Sequence, residues 1–381
     1  MIILKEIYLD HSATTRVRKD VLNEMLPYFY EEYGNPSSLY GIGREAKKAI
    51  ENARCKVANA LNCDKDEVYF TSCGSESDNL AIKGIAYANC NRGNHIITSK
   101  IEHPAILNAC KNLEKKGFRV TYLNYNENGF VDLKQLEQAI TKETILISVM
   151  TANNEIGTIQ NIKQIGEIAH KRNIIFHTDA VQAIGNVKID VKNMNIDMLS
   201  LSAHKFYGPK GVGALYVKNG INFERVQDGG HQERNKRSGT ENVAGIVGLG
   251  KAIEVADNRI YEYNRYLLNL RNYFIEKVTR KIENVKINGD LNRRLPGHIS
   301  ISFKDKDSQE ILLALDKRGI CASGGSACSS GENTPSHVLL AIGLPREWLN
   351  GTIRLTLGEE NTRNEIDYVV NSLETIIKNC D

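Results

Sequence analysis

The sequence predicts an α/β protein, in which a mostly parallel β-sheet has helices on both faces and a smaller α+β unit follows. Over residues 61–217, short runs rich in β-branched and aromatic residues alternate with segments of helical length. This alternation is typical of a parallel sheet whose crossovers are helices. After Ala256 the sequence becomes a long charged helical stretch with few strand-like runs. We therefore expect a large domain, residues 16–256, and a small domain built from 1–15 and 257–381.

The individual elements follow in order along the chain. Seven runs in the first part are predicted strands: "EVYFTS", "NHIITS", "RVTYLN", "TILISVM", "NIIFHTD", "IDMLSLS" and "GALYV". The predicted helices between them are Asp78 to Cys90, Ala105 to Lys116, Leu133 to Ile140 and Ile162 to Lys171. The second part contains predicted helices at Asp257 to Lys281, in "SQEILLALDKRG" and at Arg363 to Lys378, with strands in "GHISISF" and "TIRLTLG".

Composition limits the class of function. Lysine plus arginine number 49 against 46 for aspartate plus glutamate, and no block of like charges occurs, so neither nucleic acid nor an anionic membrane is favoured as a ligand. The apolar run at the N-terminus is too short for a signal peptide, and nowhere do about 20 apolar residues occur in a row. Eight cysteines without a C-x-x-C pair argue against zinc and against a disulfide framework. We expect a cytoplasmic protein that binds small molecules and proteins.

Three predicted strands end in residues that suit one cofactor. Ligands of open α/β sheets bind outside the carboxyl ends of the strands. There the sequence places a small-residue turn at Gly74-Ser75 that opens a helix, the carboxylate of Asp179 and the amine of Lys205. A phosphate cradle, a buried acid and an amine together fit pyridoxal 5'-phosphate (PLP). Taken singly, each feature is better explained in an ordinary way: Gly74-Ser75 as a tight turn, Asp179 as a helix cap and Lys205 as a solvated strand end.

Two further residues are candidates for chemistry. Cys328 lies in "GICASGGSACSSGENTPSHV", where glycine and serine predict an exposed loop, whereas Cys321 beside Ile320 is predicted to be more buried. An exposed thiol is either a nucleophile or an incidental surface cysteine. Arg354 in "TIRLTLG" could bind a substrate carboxylate through two hydrogen bonds, or could be the partner in a salt bridge.

Eight segments distributed along the chain together resemble the cysteine desulfurases of the NifS/IscS group. The segments are "YLDHSATT", "GNPSS", "EHPAI", "NNEIG", "HTDAVQAIG", "SAHKFYGPKGVGALYV", "RSGTENV" and "SGGSAC". The resemblance runs from about Tyr8 to the last helix. It implies a PLP-dependent transferase of fold type I, in which the Lys205 segment and the cysteine loop occur together.

The resemblance also implies roles for individual residues. Lys205 would bind PLP covalently, with Asp179 at the ring nitrogen, Gln182 at the ring hydroxyl and His103 on the ring face. The phosphate would be held by Gly74, Ser75, Ser202 and His204, and by Thr240 reaching from the other subunit of a homodimer. Asn154, which also contacts the cofactor, and Arg354 would hold the substrate carboxylate. Ser75 replaces the threonine usual in the family but keeps the hydroxyl.

The implied reaction converts L-cysteine to L-alanine. The sulfur would pass to Cys328 as a persulfide, with His103 as acid and base, and then to an acceptor protein for iron-sulfur cluster assembly or for thiolation of cofactors or tRNA. Three alternatives stay open at this stage: a selenocysteine lyase, an aminotransferase of the same fold and a non-catalytic sulfur carrier or scaffold subunit.

Overall fold

The computed structural model describes residues 6–324 and 335–379, so Cys328 lies outside the described residues. The strands are β1 Ile7–Tyr8, β2 Val68–Thr71, β3 His95–Ser99, β4 Arg119–Leu123, β5 Thr144–Ser148, β6 Ile175–Asp179, β7 Met198–Ser202, β8 Gly213–Val217, β9 Val285–Ile287, β10 His298–Phe303, β11 Ile320–Cys321, β12 Ser323–Gly324 and β13 Thr352–Thr356. The helices are α1 Lys19–Met25, α2 Pro27–Tyr30, α3 Gly41–Leu61, α4 Gly74–Ala88, α5 Pro104–Glu114, α6 Leu133–Ala139, α7 Ile162–Lys171, α8 Gln232–Asn235, α9 Val243–Lys281, α10 Ser308–Asp316, α11 His337–Ala341, α12 Arg346–Leu349 and α13 Arg363–Asn379. Within the two described ranges, no helix combines the length and apolar character needed to cross a bilayer.

The largest sheet contains all seven strands that were predicted in the first part of the chain. Its order is β2-β8-β7-β6-β5-β3-β4, and every pair except those made by β8 is parallel. β8 is antiparallel because it follows β7 after a short connection, and Ser202 pairs with Gly213 across the strands. Parallel neighbours would need a longer crossover. The predicted fold class, a mostly parallel sheet with flanking helices, is confirmed.

Both faces of this sheet are covered by helices. Successive residues of one strand point to opposite faces. Accordingly, Ile96 of β3 packs with residues of α4 and α5, whereas Ile97 packs with residues of α3 and α7. Leu146 and Ile147 of β5 divide in the same way. Strands β3 and β5 to β8 are therefore buried throughout, which is why the sequence shows them as continuous apolar runs, whereas the edge strand β4 is only partly buried.

A second core forms around the smaller sheets. The antiparallel sheet β12-β13-β10-β9 packs against α10, α13 and the second half of α9, with Phe274, Ile301 and Ile353 at its centre. Ile7 and Leu9 join this core, since β1 pairs in parallel with β11. This pairing carries the segment after Tyr8 to the edge of the large sheet.

Helix α9 connects the two cores. It spans 39 residues and begins at Val243, well before the Asp257 start that the sequence predicted. Its first part is apolar and rich in glycine, and it was not recognised as helical because glycine disfavours helix interiors. Glycine is needed there: a Cβ on Gly250 would lie 2.7 Å from the Cβ of Ala53 in α3. We propose that the division between the two domains lies within this helix, near Ala256.

Candidate active site

A cleft lies at the carboxyl ends of the parallel strands, between the large sheet and β13. It holds about 260 Å³, whereas two smaller cavities that also reach Lys205 hold about 40 and 30 Å³, so the cleft has room for an organic cofactor. Ten of the predicted site residues line it: Gly74, Ser75, His103, Asn154, Asp179, Gln182, Ser202, His204, Lys205 and Arg354.

Lys205 lies in a single 3₁₀ turn directly after β7, which points its side chain into the cleft. Its Nζ donates hydrogen bonds to the backbone oxygen of Ala13, at 2.8 Å, and to that of Ser12. Gln182 donates to the same Ser12 oxygen, at 2.9 Å. The amine is thus held in the cleft by the segment after β1 and is not a solvated strand end.

Asp179 is the last residue of β6 and is 5% exposed. Its Oδ1 accepts a hydrogen bond from the backbone N–H of Val181, at 2.8 Å. Burial raises the pKa of the Asp179 carboxyl, and the charges of His103 and Lys205 oppose that rise. A second carboxyl, Asp78 of α4, is 1% exposed, and burial together with Asp179 raises its pKa well above the usual range. Burial and mutual repulsion therefore disfavour two charged carboxylates here, and a cationic ring nitrogen would favour the charged form of Asp179.

The start of α4 forms an anion cradle. Cys73 at the N-cap makes no side-chain cap hydrogen bond, which leaves the first-turn N–H groups open toward the cleft. The hydroxyl of Ser202 is buried and has no hydrogen-bond partner among the described residues. A Cβ on Gly74 would lie 2.7 Å from Cγ2 of Val181, so only glycine fits there. An open helix terminus beside an unpartnered hydroxyl fits the phosphate of PLP.

His103 lies at the N-cap of α5, where its Nδ1 accepts a hydrogen bond from the N–H of Ala105, at 3.2 Å. The proton of the neutral ring therefore resides on Nε2. Burial lowers the pKa of His103, and the charge of Asp179 partly opposes this. His204 is also neutral, since burial lowers its pKa to about 4. His103 is thus a neutral imidazole in the cleft that can accept or return a proton near pH 7.

Arg354 and Asn154 meet at the other side of the cleft. Arg354 lies on β13 and is 2% exposed. One terminal nitrogen donates to the backbone oxygen of Asn154, at 3.0 Å, and the other pairs with Oδ1 of Asp10, at 2.7 Å. The salt-bridge interpretation of Arg354 is therefore correct for one edge of the guanidinium. The ion pair with Asp10 is observed, and the role of Arg354 in binding a substrate carboxylate stays a prediction.

Several titratable residues in or beside the cleft were not among the predicted site residues. Burial raises the pKa of Glu102 to about 8 and that of Glu155 to about 7. His337 lines the cleft and its Nε2 lies 3.1 Å from the backbone oxygen of Glu102. The available signal was adjacency: Glu102 and Glu155 stand next to His103 and Asn154 in the sequence.

Two predicted residues are not in the cleft. Thr240 is exposed and does not line it, and Cys328 lies outside the described residues. The segment before Thr240 is nevertheless firmly anchored. The buried Arg54 pairs with Glu233, at 2.7 Å, and Arg237 pairs with Glu76 in the first turn of α4, at 2.8 Å. The role of Thr240 in a partner's site remains a prediction.

Comparisons with known proteins agree with this geometry. The family model described as aminotransferase class-V matches residues 7–369. A protein named cysteine desulfurase IscS from Clostridium botulinum is 58% identical over 376 residues, which cover 98% of this chain and 95% of the relative.

Solved structures give the same assignment. A NifS-like protein superposes with a TM-score of 0.93 at 38% identity and covers 98% of this chain and 100% of its own. A structure described as SspA in complex with cysteine gives a TM-score of 0.80 at 38% identity, over 94% of this chain and 100% of its own. The chain belongs to the class-V aminotransferase family, and within it to the cysteine desulfurases of the NifS and IscS group.

Proposed function

We propose that this chain is a PLP-dependent cysteine desulfurase that converts L-cysteine to L-alanine and transfers the sulfur to Cys328. The observation that carries the proposal is the single cleft in which an amine, a buried carboxylate, an anion cradle and a buried guanidinium converge. Relatives named cysteine desulfurase at 58% identity support the choice of reaction, and the SspA structure with cysteine supports the substrate.

In the proposed reaction, different residues of the cleft act on different parts of the substrate and of the cofactor. Bound PLP supplies an aldehyde that captures an amine and a ring that takes up electrons from Cα. Arg354 and Asn154 orient the substrate carboxylate, and Lys205 moves the Cα proton. Asp179 holds a proton at the ring nitrogen, because its carboxylate stabilises the cationic form. The helix start at Gly74, with Ser75, Ser202 and His204, binds the phosphate, while Gln182 contacts the ring hydroxyl.

The sulfur step uses the Cys328 thiolate. In the proposed step its Sγ forms a bond to the substrate sulfur, and the substrate Cβ–S bond breaks with its electron pair remaining on carbon. The neutral His103 first accepts the proton of the Cys328 thiol and then gives it to that carbon, which becomes the methyl group of alanine. Cys328 is left as a persulfide, which an acceptor protein collects. The proposed setting is the cytoplasm, and iron-sulfur cluster assembly is the proposed use of the sulfur.

The proposal is tested by product analysis. The purified protein with PLP, L-cysteine and a thiol acceptor should release alanine and sulfide in equal amounts. Faster alanine release from selenocysteine than from cysteine would identify a selenocysteine lyase. Transfer of the amino group from cysteine to added pyruvate would identify an aminotransferase. A colourless protein that retains no PLP would favour the non-catalytic carrier. Absence of alanine from a PLP-loaded protein would contradict the proposal.

Asp179→Asn should lower turnover far more than PLP retention. The amide keeps the shape and can still accept from the N–H of Val181, but it cannot stabilise a charged ring nitrogen. The loss of one buried charge pair is typically about 3–5 kcal/mol, which corresponds to about 10²–10⁴-fold in turnover. Turnover is measured as alanine release and PLP retention by absorbance after gel filtration. Turnover near the wild-type rate would show that Asp179 is not the partner of the ring.

We also propose a homodimer in which Thr240 completes the partner's phosphate site. Support comes from large apolar side chains exposed near the N-terminus, among them Phe29, Tyr30, Tyr33 and Leu39, which are 64–89% exposed. An apolar surface of this kind is typical of an interface.

Sedimentation equilibrium should therefore give twice the chain mass of 42.6 kDa. Tyr30→Glu should weaken the dimer about 10-fold or more, because a charge would be buried at the interface. Tyr261→Glu is the control, since Tyr261 of α9 is 75% exposed but lies away from this surface in the sequence. A monomeric wild type would contradict the proposal for Thr240.

A further inference from the structure

The Arg354–Asp10 pair bears on how tightly the cleft holds a carboxylate. Arg354 is almost completely buried, and a buried guanidinium requires a counter-charge or hydrogen bonds to all of its donors. Asp10 meets one terminal nitrogen at 2.7 Å and the Asn154 oxygen meets the other at 3.0 Å. The Nε of Arg354 is buried and has no acceptor among the described residues. These two contacts use two of the five N–H groups of the guanidinium, and the Arg354 side chain lines the cleft.

Asp10 is itself fixed in place. Its Oδ2 accepts from the hydroxyl of Ser323, at 3.0 Å, and its backbone bridges to Thr356 at the end of β13. The segment after Asp10 is also bound to β13, since the N–H of Ser12 donates a hydrogen bond to Oγ1 of Thr356, at 2.8 Å. The carboxylate is held from two sides and cannot follow the guanidinium if Arg354 rotates. Asp10 contacts Arg354 without itself lining the cleft.

The other acid near Arg354 is a weaker counter-charge. Glu155 lines the cleft and accepts a hydrogen bond from the Ser336 hydroxyl. Burial raises the pKa of Glu155 to about 7, so a large part of it is neutral at physiological pH. The direct ion-pair partner of Arg354 among the described residues is Asp10, at 2.7 Å.

We propose that Asp10 is a positioning residue that fixes the guanidinium of Arg354 beside the cleft and weakens the hold of Arg354 on the carboxylate of substrate and product. A carboxylate that binds this guanidinium approaches a group whose charge Asp10 already balances, so the attraction between them is weaker. The ion pair with Asp10 thus keeps the guanidinium in position for the carboxylate, and the weaker attraction allows the product alanine to leave. This inference rests on the proposed function of Arg354.

The test compares two substitutions at Asp10 by calorimetric titration of L-alanine into the PLP-bound protein. Asp10→Asn keeps an oxygen for Arg354 and removes the charge, so alanine should bind roughly 3–10-fold more tightly. The KM for L-cysteine should fall with it, and kcat should fall because product release slows. Asp10→Ala loses both charge and orientation, so alanine should bind more weakly than in the wild type.

Controls separate this effect from folding and from net charge. Asp66→Asn removes one exposed charge and should leave alanine affinity unchanged. In an Arg354→Ala background, Asp10→Asn should have no effect on alanine affinity, because the two residues act through one contact. Thermal unfolding of each variant checks the fold.

Each other outcome overturns the inference. Weaker alanine binding in both Asp10 variants would mean that Asp10 is only a structural partner of Arg354, and unchanged binding in Asp10→Asn would mean that its charge is not felt in the cleft. A wild type that releases no alanine from cysteine would instead refute the proposed function, so the two failures are distinguishable.

Discussion

Lys205→Ala is expected to abolish the covalent attachment of PLP and to lower alanine production by about three orders of magnitude or more. The lysine is the one predicted residue that combines an amine with a position at a strand end inside the cleft. Alanine cannot capture the cofactor aldehyde and cannot move the Cα proton. The phosphate cradle at α4 is untouched, so some non-covalent PLP should remain. The measurements are the absorption spectrum of the purified protein and alanine release.

Folding must be checked separately, because Lys205 also ties the large sheet to the segment after β1 through Ser12 and Ala13. Lys205→Gln retains a donor for these carbonyls and should unfold nearer to the wild-type temperature than Lys205→Ala, yet it should be equally inactive. Lys210→Ala serves as the matched control, since Lys210 is exposed in the turn that follows. A Lys205→Gln protein with the wild-type spectrum and turnover would contradict the assignment.

The large sheet was predictable because its strands are buried on both faces. Such strands appear as short continuous apolar runs, and the residues after them converge at one edge through the geometry of parallel pairing. Gly74, Asp179 and Lys205 were therefore placed in one site from local sequence alone. The same rule could not reveal the order of the strands or the antiparallel direction of β8, since neither depends on any single run.

The contacts of Asp10 with Arg354 and Ser323 were not predictable. They join residues that are 344 and 313 positions apart, and they exist only because β1 pairs with β11 and the next residues follow β13. A local pattern contains no information on such pairings. From the sequence, Arg354 could bind a ligand or form a salt bridge. The structure shows the salt bridge with Asp10 and also shows that Arg354 lines the cleft, so the salt bridge does not exclude ligand binding.

Buried titratable groups were missed for a different reason. Asp78, Glu102 and Glu155 look like ordinary acids of a helix or loop, which are usually solvated. Their raised pKa values come from burial, and burial depends on how the elements pack together. In contrast, the interpretation of Cys321 needed only its apolar neighbour Ile320. The structure agrees, because Cys321 is partly buried in β11 and burial raises the pKa of its thiol.

Cys328→Ser is expected to stop sulfur transfer while leaving PLP binding intact. Lys205 acts on Cα and Cys328 on the substrate sulfur, so the variant should still bind PLP and still change its absorption spectrum when cysteine is added. Serine differs by one atom, but its hydroxyl is a poor nucleophile and cannot carry a persulfide. Mass spectrometry of the protein after incubation with cysteine should find one added sulfur on Cys328 in the wild type and none in the variant.

Other cysteines of the chain serve as a control for this experiment and as an alternative sulfur acceptor. Cys321→Ser should leave activity unchanged, because a partly buried thiol with a raised pKa is seldom a thiolate at pH 7. Burial raises the pKa of Cys63 and of Cys110 to about 12, which makes them poor nucleophiles as well. Cys73 is the alternative sulfur acceptor to be tested against Cys328, since it lines the cleft at the start of α4.

Peptide mapping therefore decides among the thiols. Added sulfur on Cys73, with alanine production undiminished in Cys328→Ser, would place the sulfur acceptor beside the phosphate cradle and overturn the assignment of Cys328. Loss of alanine production in Cys328→Ser together with a normal spectral response to cysteine would separate the two halves of the reaction. The spectral change that precedes sulfur removal would then depend on Lys205 and Asp179. The removal of sulfur itself would depend on the thiol of Cys328, from a different part of the chain.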